Sequence, residues 1–150
     1  MNRHIQTVFC DDIRHELGGK LSFIGVYTGH LFVSAFPVTL PKLCLALTAI
    51  TPAAQPFQKL YLRILKDDEV LAEANLDEAM LSGIANASAD LDSDGNDKKS
   101  GVQVLNSLFV FSPFQIDAPC RLRIRAITES GELKGLPLMI AEALSDAPTS

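Results

Sequence analysis

An all-β fold, built as an antiparallel β-sandwich, is what the sequence predicts from three observations. Apolar and polar residues alternate with a period of two over many short segments, as half-buried strands do. Turn signals rich in Gly, Asp and Pro separate these segments at regular intervals. No alternation of strand and helix, which a parallel sheet needs, is visible. We therefore expect two antiparallel sheets in an immunoglobulin-like or C2-like arrangement.

The length and charge of the chain limit both its organisation and its partners. It has 150 residues, 47% of them hydrophobic, which predicts a single domain over residues 1–150 with one core. The 13 basic and 18 acidic residues give a net charge of −5, which argues against nucleic acid as a partner. No apolar run reaches the roughly 18 residues that a membrane span needs, so no membrane partner is expected.

Three cysteines, Cys10, Cys44 and Cys120, form neither a disulfide framework nor a zinc pattern, because their number is odd and no CxxC spacing occurs. The first residues also lack the apolar stretch of a signal peptide. We expect a cytoplasmic protein with reduced thiols and no cofactor.

The first half of the chain predicts strands separated by glycine and proline. The predicted strands are residues 4–10, 20–27, 30–34 and 42–50. Asp11 and Asp12 are interpreted as the start of a short helical turn or loop that Gly18 and Gly19 end, with one of the two acids as its cap. Pro37 and Pro41 indicate an edge or a crossover between strands.

Two hairpins and one further strand are predicted in the second half. The first hairpin covers residues 58–76 with its turn at Asp67 and Asp68, and the second joins 121–128 to 132–141. Residues 102–112 form another strand. Helical spacing of apolar residues predicts one short helix near 77–87, a flexible acidic loop follows at 90–101, and a mobile tail ends the chain at 145–150. The predicted core side chains are Leu21, Phe23, Leu43, Leu45, Leu62, Ile64, Leu108, Val110, Leu122 and Ile124.

Three arginines, Arg121, Arg123 and Arg125, occupy alternate positions of one predicted strand. Alternate residues share one face, about 6 to 7 Å apart, so these side chains form a stripe that can bind an anionic partner. The alternative is a solvated strand face whose arginines pair with acidic side chains on neighbouring strands.

Asp90, Asp92 and Asp94, followed by Gly95, match the beginning of a calcium-binding loop. Three carboxylates at alternating positions can converge on one hard cation. The twelfth loop position is Gly101, where an EF-hand has a bidentate Glu. A solvated acidic loop is therefore the preferred interpretation, and a weak calcium site is the alternative.

Cys10, Asp11, Asp12, His15 and Glu16 bring several reactive side-chain types together near the N-terminus. A metal site or a nucleophile–base pair is conceivable with these groups, but their spacing fits no known metal motif. A buried, inert Cys10 is the preferred interpretation. The sequence contains no G-x-S-x-G, P-loop, G-x-G-x-x-G or H-E-x-x-H motif.

Several segments of the chain form a distinctive set: the Cys10-Asp11-Asp12 motif, the Gly18-Gly19-Lys20-Leu21-Ser22 motif with Gly25, the FP…LP pattern of residues 36–41, and the later segments EVLAEA (69–74), SPFQI (112–116) and LPLMI (136–140). Together these segments resemble an uncharacterised family of small bacterial and phage β-sandwich domains. The resemblance covers most of the chain outside the loop at 90–101. It implies a cytosolic domain of unknown function and gives no catalytic residues.

These observations favour a non-catalytic protein-interaction module of bacterial or phage origin, with a protein partner or self-association as its mode of action. A self-assembling structural component is the first alternative. A weak calcium-binding or small-ligand-binding domain is the second alternative, and an enzyme is the least favoured class.

Overall fold

The computed structural model describes residues 2–76 and 101–144, and these residues form twelve β-strands and no helix, which confirms the all-β prediction. The strands are β1 (His4–His15), β2 (Leu21–Tyr27), β3 (His30–Val33), β4 (Val38–Leu40), β5 (Leu43–Pro52), β6 (Leu60–Lys66), β7 (Glu69–Leu76), β8 (Val102–Phe111), β9 (Phe114–Ile116), β10 (Cys120–Thr128), β11 (Gly131–Lys134) and β12 (Leu138–Glu142). The helix predicted near 77–87, most of the loop predicted at 90–101 and the tail at 145–150 lie outside the described residues.

Two large sheets and one small one account for all twelve strands. A four-stranded antiparallel sheet has the order β2-β1-β5-β8. A six-stranded sheet has the order β3-β12-β10-β6-β7, with β11 also paired to β10. The strands β4 and β9 form the third sheet.

The core lies between the two large sheets, because one cluster of buried side chains draws on both. The four-stranded sheet contributes Leu45 and Leu47 of β5, and the six-stranded sheet contributes Leu62 of β6 and Ile124 of β10. The alternation in β10 explains its placement, since its apolar residues are buried while its arginines face outward. β5 is apolar on both faces, as a central strand commonly is.

The prediction of two purely antiparallel sheets needs correction. β3 pairs with β12 in parallel, so the six-stranded sheet is mixed. The second strand of the predicted second hairpin is also not continuous. It is interrupted at residues 135–137, which separate β11 from β12, and both strands pair with β10. A parallel pair cannot come from a tight turn, and short-range turn signals could not reveal it.

The helical turn expected at Asp11 and Asp12 is also wrong. β1 continues without a break to His15 and pairs with β2 from Phe9↔Tyr27 to His15↔Leu21. The turn instead comes at residues 16–20, where Gly18 and Gly19 adopt positive φ.

Six of the ten predicted core residues, those of β5, β6 and β10, are fully buried, and the other four are exposed. Leu108 and Val110 of β8 are 37% and 56% exposed, because β8 is apolar on both faces and its residue alternation does not show which face packs inward. Leu21 and Phe23 of β2 are 39% and 40% exposed, because they lie in the part of the β1–β2 hairpin outside the core cluster.

Candidate functional site

The side of the four-stranded sheet that faces away from the core carries an apolar surface, which we call the outer face. Cross-strand partners point to the same side of a sheet, so the pairs Val26↔Cys10, Cys10↔Cys44 and Cys44↔Val110 trace one row across all four strands. A second row pairs Ala46 with Leu108. Among the described residues, thirteen large hydrophobic side chains are exposed, and six of them belong to the outer face: Ile24, Val26, Val102, Val104, Leu108 and Val110.

One polar row crosses the outer face, formed by Gln6, Thr48 and Asn106, and some of the polar groups on this face are paired. The Thr48 hydroxyl donates a hydrogen bond to Asn106 Oδ1 at 2.9 Å across β5 and β8. At one end, Lys42 Nζ donates to Asp12 Oδ1 at 2.7 Å, and this hydrogen bond lowers the pKa of Asp12 and raises that of Lys42. These paired groups can be covered by a partner without losing their hydrogen bonds.

Cys10 and Cys44 lie opposite each other at the centre of the outer face, and both are fully buried by their neighbours. Burial and then the neighbouring Cys44 raise the pKa of the Cys10 thiol. A protonated, buried thiol is a poor nucleophile, which agrees with the inert role expected for Cys10. His15 is five residues further along β1 and so points to the opposite face of the sheet. The two side chains therefore do not form a nucleophile–base pair.

Beside the outer face, the inner side of the β1–β2 hairpin holds a polar contact between Asp11 and Tyr27. The Tyr27 hydroxyl donates a short hydrogen bond to Asp11 Oδ1. Burial and this hydrogen bond raise the pKa of Tyr27 to about 12. Gly25 leaves room for the carboxylate, since a Cβ at Gly25 would overlap Asp11 Oδ2. The contact fixes the hairpin that carries Ile24 and Val26.

The predicted arginine stripe lies on the outward side of the six-stranded sheet. Arg125 Nε lies 3.4 Å from Glu132, and Arg123 Nη1 lies 3.6 Å from Asp68. Arg121 Nε instead donates to the sulfur of Met139 at 3.0 Å. Two of the three arginines thus face carboxylates, as the solvated-face alternative expects. A cavity of about 520 Å³ beside Arg121 and Arg123 is also lined by the acidic side chains of Asp67 and Asp68, which weakens its attraction for an anion.

The candidate calcium ligands Asp90, Asp92 and Asp94 lie outside the described residues. Within the described part of the chain, no group of three or more His, Cys, Asp or Glu side chains is placed to hold a metal ion. No helix in residues 2–76 and 101–144 is long and apolar enough to cross a membrane.

Sequence reasoning missed one polar cluster, which is centred on Arg3. Its guanidinium forms an ion pair with Glu129, donates from Nη2 to the carbonyls of Gln55 and Pro56 at 2.9 and 3.0 Å, and lies 4.9 Å from the ring centre of Phe57. These groups are far apart in the sequence, and no local pattern marks a single arginine for such a role. These contacts connect the N-terminal residues to the β5–β6 loop and to the β10–β11 turn, so their role is to stabilise the fold.

Comparison with curated proteins and with solved structures finds no match. A family of unknown function, DUF6941, matches residues 6–141. The match spans every strand of the four-stranded sheet and nearly all of the six-stranded sheet. The chain belongs to the DUF6941 family of unknown function.

Proposed function

We propose that the protein is a non-catalytic interaction module that binds a partner protein through the outer face. The single observation that carries this proposal is the set of six exposed apolar side chains on one face of the four-stranded sheet. Monomeric proteins rarely expose a contiguous apolar patch larger than roughly a few hundred Å² unless the patch has a binding role.

The size of the outer face fits a protein contact. Four strands at the usual spacing, with the two longest about ten residues in length, give a surface on the order of 500 Å². This area approaches the roughly 800 Å² per partner of a standard protein interface. A sheet face of this size suits another protein better than a small molecule, whose binding sites are usually concave.

The proposed partner is a protein and not a nucleic acid, because the chain carries a net charge of −5 and the described outer face has few cations. A non-catalytic role is supported by the protonated, buried state of Cys10 and by its separation from His15. Bacterial or phage origin and a cytoplasmic location belong to the same proposal. The three cysteines, which are all free and buried, support the location.

The test compares two lysine substitutions in affinity capture from the native host, read by quantitative mass spectrometry. Val26→Lys places a charge on the outer face at a side chain that is 51% exposed. Phe32→Lys is the matched control, since Phe32 is 61% exposed on the outward side of the six-stranded sheet. Both variants should keep the wild-type melting temperature, because both replaced side chains are largely in water.

We expect one protein to be captured at near-equal amount by the wild-type chain and by Phe32→Lys, and to be lost with Val26→Lys. Equal retention by both variants would place the partner elsewhere and overturn the proposal. Capture of no protein at near-equal amount by the wild-type chain would also overturn it.

A further inference from the structure

Strand β8 forms one edge of the four-stranded sheet and has no charged residue. Its ten residues, VQVLNSLFVF, pair with β5 on one side, and among the described residues no strand pairs with its other side. Long, uncharged, apolar edges are rare on isolated proteins, because their free N–H and C=O groups pair readily with another strand.

The other sheet edges carry features that discourage such pairing. β7 has acidic residues at Glu69 and Glu73 and an irregular register opposite Ile64 and Leu65. β3 has only four residues. β2 contains Gly25 with φ of 70°, which interrupts its regular extended backbone. Charge, shortness and irregular backbone are the usual protections of an edge strand, and β8 has none of them.

The backbone of β8 directs the hydrogen-bonding groups of five alternate residues away from β5, on the side where no described strand pairs with it. The N–H of Ala53 donates to the carbonyl of Gly101 at 2.9 Å, and this pair continues the register Pro52↔Val102. Because hydrogen-bonded and non-hydrogen-bonded pairs alternate in an antiparallel ladder, the odd-numbered residues of β8 bond to β5. The N–H and C=O groups of the even-numbered residues therefore point to the free edge, namely those of Val102, Val104, Asn106, Leu108 and Val110.

We propose that this edge binds a second copy of the chain, so that two β8 strands pair antiparallel and join the four-stranded sheets into one of eight strands. A two-fold axis through the middle of the five free residues places Asn106 opposite Asn106 of the second copy. Val104 then faces Leu108, and Val102 faces Val110. All five residues find a partner in this register, and apolar side chains of the outer face meet apolar side chains.

Charge and area are both consistent with a second copy as the occupant. Two chains of net charge −5 repel each other, so self-association is favoured at an uncharged strip such as β8. The pairing buries a narrow strip, which is smaller than a standard interface and belongs with weak, reversible contacts. We therefore expect a dimer with a dissociation constant of micromolar order. This contact uses the strand edge, so it goes beyond the proposed function and does not depend on it.

The first measurement is sedimentation equilibrium of the wild-type chain over a range of concentrations, compared with Val104→Pro. Proline at this position removes an N–H that faces the free edge and no bond to β5, so the fold should survive. We expect the wild-type mass to rise towards twice the chain mass with concentration, and Val104→Pro to remain a monomer. A wild-type chain that stays monomeric at every concentration would overturn the proposal.

Oxidative cross-linking of variants that each carry one added cysteine, beside the three buried native ones, tests the register without relying on proline. Asn106→Cys should form a disulfide-linked dimer, because its side chain meets its own copy at the axis within disulfide reach. Val104→Cys is the matched control, since four residues separate the two copies of Val104 along the strand, about 13 Å. A mixture of the Val104→Cys and Leu108→Cys variants should form a disulfide-linked heterodimer, because Val104 of one copy faces Leu108 of the other. Equal cross-linking of Asn106→Cys and Val104→Cys alone would contradict the proposed register.

Val26→Lys separates edge pairing from stacking of two outer faces. Val26 lies on the outer face but on β2, at the opposite edge of the sheet from β8. Edge pairing predicts that Val26→Lys dimerises like the wild-type chain even though it loses the proposed protein partner. Loss of the dimer in Val26→Lys would show face stacking and overturn the edge proposal while leaving the outer face as a contact surface.

Discussion

Arg3 and Glu129 form an ion pair between the start of the chain and the β10–β11 turn, across 126 residues of sequence. The second carboxylate oxygen of Glu129 accepts the backbone N–H groups of Gln58 and Lys59 at 2.7 and 3.1 Å. Thr51 completes the cluster by accepting from Arg3 Nε at 2.8 Å. One pair of side chains thus joins the chain start, the β5–β6 loop and the β10–β11 turn.

Replacement of Arg3 by Ala should lower the free energy of unfolding by about 2 to 3 kcal/mol, because Glu129 and two loop carbonyls lose a partly buried partner. Urea denaturation measures this loss. Arg14→Ala is the control, since Arg14 is 67% exposed and lies 3.6 Å from Asp12, and it should cost less than about 1 kcal/mol. Similar losses in the two variants would show that the Arg3 cluster contributes little.

The stability of the protein should fall in acid partly because of Glu129. Burial raises the pKa of this carboxyl group, but the hydrogen bonds from Arg3, Gln58 and Lys59 outweigh it and hold the pKa at about 2, against an ordinary value of 4.5. A lowered folded-state pKa gives stability that is complete above pH 4.5 and is lost as the pH falls towards 2. Urea denaturation across this window should show a smaller pH dependence in Glu129→Gln than in the wild-type chain. An identical dependence in both would contradict the assignment to Glu129.

The predictable parts of the fold are those in which local sequence and tertiary structure agree. The turn at Asp67 and Asp68 joins β6 to β7 as predicted, because turn residues separate two segments of clear alternation. Leu62 and Ile124 are buried as predicted, because each alternates with charged or polar neighbours on its strand.

The outer face and the Arg3 cluster could not be predicted for two different physical reasons. β8 has apolar residues on both faces, so Leu108 looked the same as a core residue until the neighbouring sheet showed which side is covered. The partners of Arg3 come from residues 51–57 and 129–130, and only the folded chain brings them together. Both features depend on tertiary contacts that a single sequence does not contain.

Gly25→Ala should destabilise the β1–β2 hairpin by about 1 to 2 kcal/mol, because Gly25 has φ of 70° and the added Cβ displaces the Asp11 carboxylate. The displaced carboxylate would release Tyr27, whose pKa should fall from about 12 towards its ordinary value of 10. Ultraviolet titration of the phenol in a Tyr61→Phe background measures this change.

A double-mutant cycle with Asp11→Ala separates steric displacement from backbone strain at Gly25. Removal of the Asp11 carboxylate eliminates the close contact, so Gly25→Ala should cost less in the Asp11→Ala background than in the wild-type chain. A cost that is the same in both backgrounds would assign the whole effect to the backbone conformation.

Calcium should leave the melting temperature unchanged after chelator treatment. Asp90, Asp92 and Asp94 match the beginning of a calcium loop, but the twelfth position is Gly101, whose carbonyl accepts the N–H of Ala53 and which has no carboxylate to complete the site. Differential scanning calorimetry with and without millimolar calcium measures any stabilisation by binding. A rise with calcium that disappears in Asp92→Asn would establish a site and contradict the preferred interpretation of a solvated loop.

Leu62→Ala and Leu108→Ala should differ strongly in stability although both remove the same atoms from a strand. Leu62 is fully buried between the sheets, so its truncation leaves a cavity and should cost about 2 to 5 kcal/mol. Leu108 is 37% exposed on the outer face, and its truncation should cost less than about 1 kcal/mol. Urea denaturation at low protein concentration measures both losses without a contribution from dimerisation. Equal losses would mean that the outer face is covered within the monomer, and a surface already covered could not serve as the contact for a partner protein.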